Sequence, residues 1–154
     1  MLRKFFCLLV LLSVTSPSMA QEANKRAEYI RANYAKFEYE IPMRDGIRLF
    51  TSVYIPNDQS KTYPILMVRT PYSVGPYGAD RYKTSLGPTE AFEKDGFIFA
   101  FQDVRGKYMS EGEFLNMRPH NPNKKSKEDV DESTDTYDAI DWLIKNIPDH
   151  IAVS

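Results

Sequence analysis

The sequence predicts an α/β fold built on a mixed sheet, in which an antiparallel hairpin is followed by a parallel strand–helix–strand unit. Two strand-like runs flank the turn pair Asp45-Gly46, a pair typical of hairpins. Two later runs, Ile65–Val68 and Phe97–Phe101, are continuously apolar and enclose a short helical segment. Continuous apolar strands joined through a helix are typical of parallel pairing. These patterns together predict the mixed sheet.

The first strand of the hairpin is Phe37–Ile41, where apolar and polar residues alternate strictly. Alternation with a period of two indicates a strand with one buried face. The second strand is Ile47–Ile55, which is rich in β-branched and aromatic residues and is closed by Pro56. The short turn between them requires antiparallel pairing.

The parallel unit begins with Ile65–Val68, and its second strand, Phe97–Phe101, leads into Gln102-Asp103. Because both strands are apolar throughout, we expect both to be covered on both faces. Between them lie a loop rich in Gly, Pro and Tyr and a short helix over Glu90–Lys94 with Thr89 as its N-cap. This order predicts a βαβ crossover.

A longer helix follows an exposed loop at 119–131. Its apolar residues recur at three- and four-residue spacing, namely Tyr137, Ile140, Leu143 or Ile144, and Ile147. Three acidic residues lie near its start, where negative charge is favourable to the helix dipole: Asp131, Glu132 and Asp135. Pro148 is expected to end it. A weaker helix is expected between Gln21 and about Ala35.

The first twenty residues have the pattern of a secretion signal. Arg3 and Lys4 precede an apolar run at 5–14, and small residues at positions 18 and 20 place cleavage before Gln21. The sequence therefore predicts a signal peptide at 1–20 and a secreted or periplasmic protein. The run is too short to span a bilayer, so no membrane anchor is expected after cleavage. A retained N-terminal anchor is the alternative.

Composition narrows the remaining classes of function. The 154 residues divide into the signal peptide, a polar helical segment at 21–36 and a single α/β domain at 37–154. The 20 basic and 21 acidic residues nearly balance, which argues against a nucleic-acid partner. The one cysteine, Cys7, lies in the predicted signal, so disulfides, thiol catalysis and cysteine metal sites are excluded from the mature chain.

Motifs for a nucleophilic serine are incomplete. A serine hydrolase of this fold type needs Gly-x-Ser-x-Gly, because glycines allow the tight turn that exposes the hydroxyl. Ser73 and Ser110 each lack the first glycine, so neither is predicted to be a nucleophile. His120 and His150 lie beside loop-forming residues and are expected at the surface.

No cofactor or metal is predicted. Alternate acidic and hydroxyl residues from position 129 mimic a calcium loop, but Thr134 and Ile140 stand where an EF-hand needs glycine and glutamate. The simpler interpretation is a solvated acidic loop that caps a helix. The segment at 75–78 lacks the lysine of a phosphate loop, so nucleotide binding is not expected.

Four segments in order resemble a known hydrolase family. They are Met43–Leu49, Arg69-Thr70-Pro71-Tyr72, Gln102–Gly106 continued by Ser110–Phe114, and Asp138-x-x-Asp141-Trp142-Leu143. Together they resemble the family of cocaine esterase, α-amino-acid ester hydrolases, glutaryl-cephalosporanic acid acylases and X-Pro dipeptidyl-peptidases, within the α/β-hydrolase superfamily. The likeness extends over nearly all of the chain from Phe37 to Asp149.

The resemblance implies a Ser–His–Asp hydrolase that acts on a small-molecule ester, amide or peptide. It assigns to Tyr72 the role of oxyanion donor, because in this family a tyrosine at that position donates its hydroxyl beside a backbone N–H. The alternative is that Tyr72 only packs its loop. Asp103 and Arg105 are expected to fasten a turn that Gly106 makes possible.

Three further tyrosines, Tyr77, Tyr82 and Tyr108, are expected to pack rather than to line a pocket. The chain also departs from the family, which continues after Asp149 into an Asn-Gly turn, a strand and the serine motif. Here the sequence ends at Ser154. We therefore expect the chain to stop before the nucleophile elbow and, without the catalytic serine, aspartate and histidine, to be inactive alone. The alternatives are a non-catalytic secreted binding module and a product that does not fold stably.

Overall fold

The computed structural model describes residues 19–116, 118–147 and 150–151, so residues 1–18 of the predicted signal peptide lie outside it. Within these residues, a five-stranded sheet has the order β1-β2-β4-β3-β5. The helices and strands are α1 (Met19–Asn33), β1 (Tyr34–Pro42), β2 (Arg48–Pro56), β3 (Tyr63–Thr70), α2 (Glu90–Asp95), β4 (Ile98–Asp103), α3 (Glu132–Asn146) and β5 (His150–Ile151).

The opening hairpin is confirmed. β1 and β2 are antiparallel from Tyr34 opposite Pro56 to Pro42 opposite Arg48. Gly46 lies in the turn with a φ of 88°, and its N–H donates to the carbonyl of Met43 at 2.9 Å. A glycine tolerates this left-handed conformation without steric cost, which explains why the Asp-Gly pair marks the turn.

The parallel unit is also confirmed. β3 and β4 are parallel, with Ile65 opposite Ile98 and Thr70 opposite Asp103. β2 joins the other edge of β4 in antiparallel pairing, so the sheet is mixed. Because Thr70 and Asp103 lie at the same level, the loops that follow β3 and β4 leave the sheet side by side.

Burial of the two parallel strands differs from the prediction. β4 is buried along its whole length, whereas β3 is only half-buried and Val68 is 43% exposed. The prediction of cover on both faces is therefore right for β4 and wrong for β3. Position in the sheet explains the difference, because β4 lies between β2 and β3, while in the described residues β5 pairs with β3 only at Tyr63 and Pro64.

The sheet carries a different core on each face. The face under α3 is mostly aliphatic and includes Ile41, Leu49, Val53, Ile98 and Leu143. The opposite face is mostly aromatic and includes Ile30 of α1 with Tyr34, Tyr54, Phe99 and Phe101. Burial of these side chains on both faces is the main term that holds the sheet together.

The helix α3 forms as predicted, but a different face of it is buried. Ala139, Leu143 and Ile147 are buried, whereas Tyr137, Ile140 and Ile144 are exposed. The predicted apolar face is right for Ile147 and, of the alternatives Leu143 and Ile144, for Leu143, and it is wrong for Tyr137 and Ile140. The physical reason is Asp135, whose ion pair with Arg105 turns the Asp135–Ala139–Leu143 line toward the sheet. Pro148 lies outside the described residues.

The two other helices also differ in detail from the prediction. α1 has about the expected length but begins and ends two residues earlier, so Tyr34 and Ala35 belong to β1. Arg26 on α1 pairs with the buried carboxylate of Glu93 on α2 at 2.6 Å. Thr89 is the N-cap residue of α2, but its side chain makes no capping hydrogen bond. Its carbonyl accepts from the N–H of Phe92 instead. Thr89 therefore stands at the predicted N-cap position, but its side chain does not cap the helix.

The start of α3 is held by Asp131. Its buried carboxylate accepts from the N–H of Thr134, and the hydroxyl of Thr134 accepts from the N–H of Asp131, which completes a capping box. Burial opposes ionisation of Asp131, but hydrogen bonds from Lys124, Asn121, Ser133 and Thr134 outweigh it and hold its pKa far below the ordinary range.

We expect Asp131→Ala to lower the free energy of unfolding by about 1–2 kcal/mol at neutral pH, the usual cost of a lost N-cap. Because the pKa is lowered in the folded state, the charge stabilises the fold above the unfolded value of about 3.9 and loses this effect as the pH falls below it. Urea titrations from about pH 7 to about pH 3 should show the two proteins converging. A difference that stays constant would contradict this account, and Asp131→Asn, which keeps the capping oxygen, is the control.

Candidate active site

The carboxyl ends of β3 and β4 are joined by one buried carboxylate, that of Asp103. Its Oδ1 accepts from the N–H of Val74 at 3.0 Å, and its Oδ2 accepts from the hydroxyl of Tyr77 at 2.9 Å. Oδ2 also accepts a longer bond, 3.4 Å, from the N–H of Met109. The loop after β3 and the loop after β4 are therefore fastened to the same side chain.

Tyr72 lies in the first of these loops, two residues beyond the end of β3. Its side chain is 78% exposed, and its N–H donates to Oγ1 of Thr70 at 3.0 Å. This position, at the carboxyl edge of the sheet and open to solvent, agrees with the predicted placement. A phenol held here can donate a hydrogen bond to a charge that develops on a substrate oxygen, and that role stays a prediction.

Arg105 fastens the turn after β4, as expected, through two carboxylates that belong to other elements. It donates to Asp45 of the hairpin turn at 2.7 Å and to Asp135 of α3 at 2.6 Å. Burial alone would lower the pKa of Arg105, but the hydrogen bonds to Asp135 and Asp45 outweigh it and raise the pKa. Its contacts give Arg105 a structural role.

The three further tyrosines divide into two kinds. Tyr77 packs edge-on against Phe50, and Tyr82 packs edge-on against Tyr54. The prediction of packing is confirmed for Tyr77 and right only in part for Tyr82, which also lines an open cavity. It is wrong for Tyr108, which is 60% exposed and has a φ of 48°. The reason is that two successive backbone turns between residues 104 and 110 leave Tyr108 at their tip.

Arg69 has a positioning role that the sequence analysis missed. Its Nε donates to Oε1 of Gln102 at 2.7 Å, and its Nη1 donates to the hydroxyl of Thr136 at 2.5 Å. The end of β3 is thereby tied to β4 and to the first turn of α3. Burial lowers the pKa of Arg69 despite nearby carboxylates. The only sequence signal was a charged residue directly after an apolar strand.

The serines predicted not to be nucleophiles have structural partners. The hydroxyl of Ser110 donates to the carbonyl of Asp103 at 2.6 Å, and that of Ser73 shares a 2.9 Å hydrogen bond with the hydroxyl of Tyr77. His120 is exposed as predicted, whereas the side chain of His150 lies outside the described part of the chain. Neither serine contacts a histidine in the residues that the structure describes.

One serine, Ser133, does lie near a histidine and a carboxylate. Nδ1 of His120 is 3.3 Å from the hydroxyl of Ser133 and 3.2 Å from Asp131. A catalytic triad uses one ring nitrogen for the serine and the other for the acid. Here both contacts involve Nδ1, and Ser133 donates to Asp131 at 2.7 Å. The geometry is that of a helix cap.

The acidic residues that mimic a calcium loop point to separate partners. Asp129 accepts from the backbone of Lys125 and Ser126, Asp131 caps α3, and Asp135 pairs with Arg105. Across residues 19–116, 118–147 and 150–151, no three His, Cys, Asp or Glu side chains are grouped so that they could hold a metal ion. Within the same residues, no helix is both long enough and apolar enough to cross a membrane.

Comparison with protein families gives a match over most of this sheet and over the loops that follow β3 and β4. A model of the X-Pro dipeptidyl-peptidase (S15) family matches residues 45–150. The chain belongs to this family. The S15 match includes the loop of Tyr72 and the turn of Arg105, and it confirms the resemblance drawn from the four sequence segments.

Individual relatives agree with the S15 assignment. The chain is 34% identical to cocaine esterase of Rhodococcus sp. (strain MB1 Bresler) over 110 residues, which are 68% of this chain and 16% of that protein. A crystal structure of an aminopeptidase from a marine sediment Thaumarchaeota archaeon is 33% identical, with a TM-score of 0.63, over 94% of this chain and 22% of that one. An α-amino-acid ester hydrolase is 35% identical, with a TM-score of 0.64, over 94% and 23%.

These structural matches show that the sheet is of the α/β-hydrolase type. The chain spans about a sixth of the length of cocaine esterase and less than a quarter of the two solved chains.

Proposed function

We propose that this chain forms the opening part of a serine hydrolase that cleaves ester or amide bonds through an acyl-enzyme, with Tyr72 as a donor to the oxyanion. The observation that carries the proposal is the position of Tyr72. It is exposed at the carboxyl edge of the sheet, on a loop that Asp103 fastens to the neighbouring loop. Donors that are fixed before the reaction stabilise developing charge most effectively.

The relatives support this class of reaction. One is an esterase, one is an ester hydrolase and one is an aminopeptidase, and the family is that of the X-Pro dipeptidyl-peptidases. All of these names describe hydrolysis at an acyl carbon. Negative charge develops on the acyl oxygen in the cleavage of an ester and of a peptide alike, so Tyr72 could donate to it in both reactions. Experiment must therefore decide between the two substrates.

We also propose that the chain does not turn over substrate alone. Acyl transfer needs a nucleophile, a base and an orienting acid. Among the described residues, no serine has a histidine that uses one ring nitrogen for the serine and the other for a carboxylate, as such a relay requires. An oxyanion donor without a nucleophile cannot form the covalent intermediate.

The test is a chimera in which this chain replaces the matched segment of the α-amino-acid ester hydrolase, with the isolated chain assayed beside it. We expect ester hydrolysis by the chimera and none above background by the isolated chain. Tyr72→Phe should lower kcat of the chimera by about 10²–10³-fold, the usual loss for one oxyanion donor, with a much smaller change in KM. Circular dichroism checks that the variant is folded.

Tyr137→Phe is the matched control, since Tyr137 is 66% exposed but lies on α3 and not at the carboxyl edge. It should leave kcat unchanged. Equal activity of the Tyr72→Phe chimera and its parent would refute the oxyanion role. Turnover by the isolated chain that Tyr72→Phe abolishes would refute the claim that it is inactive alone.

We further propose that the protein is exported, as the pattern of residues 1–20 suggests. Expression in a bacterial host followed by N-terminal sequencing of the exported protein tests this. A first residue other than Gln21, or retention of the whole chain in the cytoplasm, would count against it.

A further inference from the structure

Two lysines donate hydrogen bonds to carbonyls of the loop at residues 75–81. The ammonium of Lys36 is completely buried and donates to the carbonyls of Pro76, Gly78 and Arg81 and to the carboxylate of Glu38. The ammonium of Lys83 donates to the carbonyl of Gly75 at 2.8 Å. The loop is thus fastened by both lysine side chains, and Lys36 forms its ion pair with Glu38.

Lys83 differs from Lys36 in its surroundings. In the described residues, no carboxylate lies within ion-pair distance of Lys83, and its ammonium is 4.8 Å from the centre of the Phe101 ring. Burial lowers the pKa of Lys83, the charge of Lys36 lowers it further, and Asp103 opposes both effects. A larger share of Lys83 is therefore present as the neutral amine, the form that reacts as a nucleophile.

Lys83 also lines an open cavity of about 260 Å³. The other residues around this cavity are Gly75, Pro76, Tyr82, Thr84 and Ser85. The cavity is large enough for a small acyl group, since one water molecule occupies about 30 Å³ of liquid volume. An acylated Lys83 would keep one N–H, which could still donate to the carbonyl of Gly75.

We propose that Lys83 is a site of covalent acylation by small activated acyl donors such as aryl esters. The lone pair of Nζ attacks the acyl carbon, a C–N bond forms, and the ester C–O bond breaks. The aryl oxide leaves with the electron pair, and the nitrogen loses its proton to water. The product is a neutral amide, so the reaction is stoichiometric and is distinct from hydrolytic turnover.

The test treats the full chain with a limiting amount of p-nitrophenyl acetate near pH 8 and maps acetylated lysines by mass spectrometry. When the pKa of a lysine falls by one unit, the fraction of neutral amine at such a pH rises about tenfold. The lower basicity offsets part of this gain, because a less basic amine is somewhat less nucleophilic. We expect acetylation of Lys83 to be faster than that of Lys61 in the folded chain, because burial lowers the pKa of Lys83 and increases its neutral fraction. In guanidinium chloride the two rates should become equal.

Lys61 is the matched comparison because its ammonium also lies over a tyrosine ring, at 5.2 Å from the centre of Tyr63, while its side chain is exposed. Lys83→Arg, which keeps the charge and a donor for Gly75, should remove the fast acetylation and leave the rate at Lys61 unchanged. Equal rates at Lys83 and Lys61 in the folded wild-type chain would overturn the proposal. That comparison needs no variant, so it decides the matter even if Lys83→Arg fails to fold.

Discussion

Replacement of Gly106 by alanine is expected to destabilise the chain by about 2–5 kcal/mol, because two independent penalties add. Gly106 has a φ of 68°, and a left-handed conformation costs an L-residue about 1–2 kcal/mol. An added Cβ would also overlap the backbone N of Phe114 and lie 2.5 Å from the carbonyl carbon of Glu113. Overpacking adds about 1–3 kcal/mol, and backbone atoms have little room to move.

Gly46→Ala separates these two penalties. Gly46 has a φ of 88°, but nothing lies within 4 Å of the position that its Cβ would occupy. We therefore expect only the conformational cost, about 1–2 kcal/mol. Guanidinium unfolding of both variants, followed by circular dichroism, measures the difference. If Gly106→Ala were no worse than Gly46→Ala, the close packing of the turn against Glu113 and Phe114 would be disproved.

Arg105→Met is expected to cost about 3–5 kcal/mol, the usual result when one partner of a buried ion pair is removed. The side chain of Arg105 is 6% exposed and those of Asp135 and Asp45 are 3% and 12% exposed. Methionine has a similar length but supplies no charge or donor, so two shielded carboxylates would be left without their cation. The hairpin turn, the turn after β4 and α3 would lose their common contact.

Arg48→Met is the control for this variant. Arg48 also makes a close ion pair, with Glu111, but its side chain is 56% exposed. Exposed ion pairs contribute about 0–1 kcal/mol, so we expect a small change in the unfolding midpoint. A similar loss of stability in the two variants would mean that burial does not set the importance of Arg105.

The elements of the fold could be predicted because their signals are local. The turn at Asp45-Gly46 and the continuous apolar strands specify their own conformation and pairing. The exposure of Val68 could not be predicted in the same way, since it depends on which strands flank β3. The buried face of α3 was missed because a charged residue, Asp135, is buried there by an arginine that lies 30 positions away in the sequence.

The candidate site was predictable only in part, for a related reason. Tyr72 was found through its motif, and its exposed position follows from its place just after a strand. The anchoring role of Arg69 was not visible, because its partners Gln102 and Thr136 are brought together only by the parallel pairing of β3 with β4 and the packing of α3. Tyr108 was misjudged because nothing in its own sequence context shows that backbone turns place it at a tip.

Asp103 fastens the loops after β3 and β4 to one side chain, and this affects how members of such a family can diverge in sequence. Since the loop of Tyr72 is anchored through Val74 and Tyr77 to a buried carboxylate, its position does not depend on the exposed side chains at Tyr108 and Met109. Those two positions can therefore change, by evolution or by design, and alter the exposed surface beside the loop while the phenol stays in place. The make-up of this surface and the position of the phenol are in this way separable traits, set by different residues.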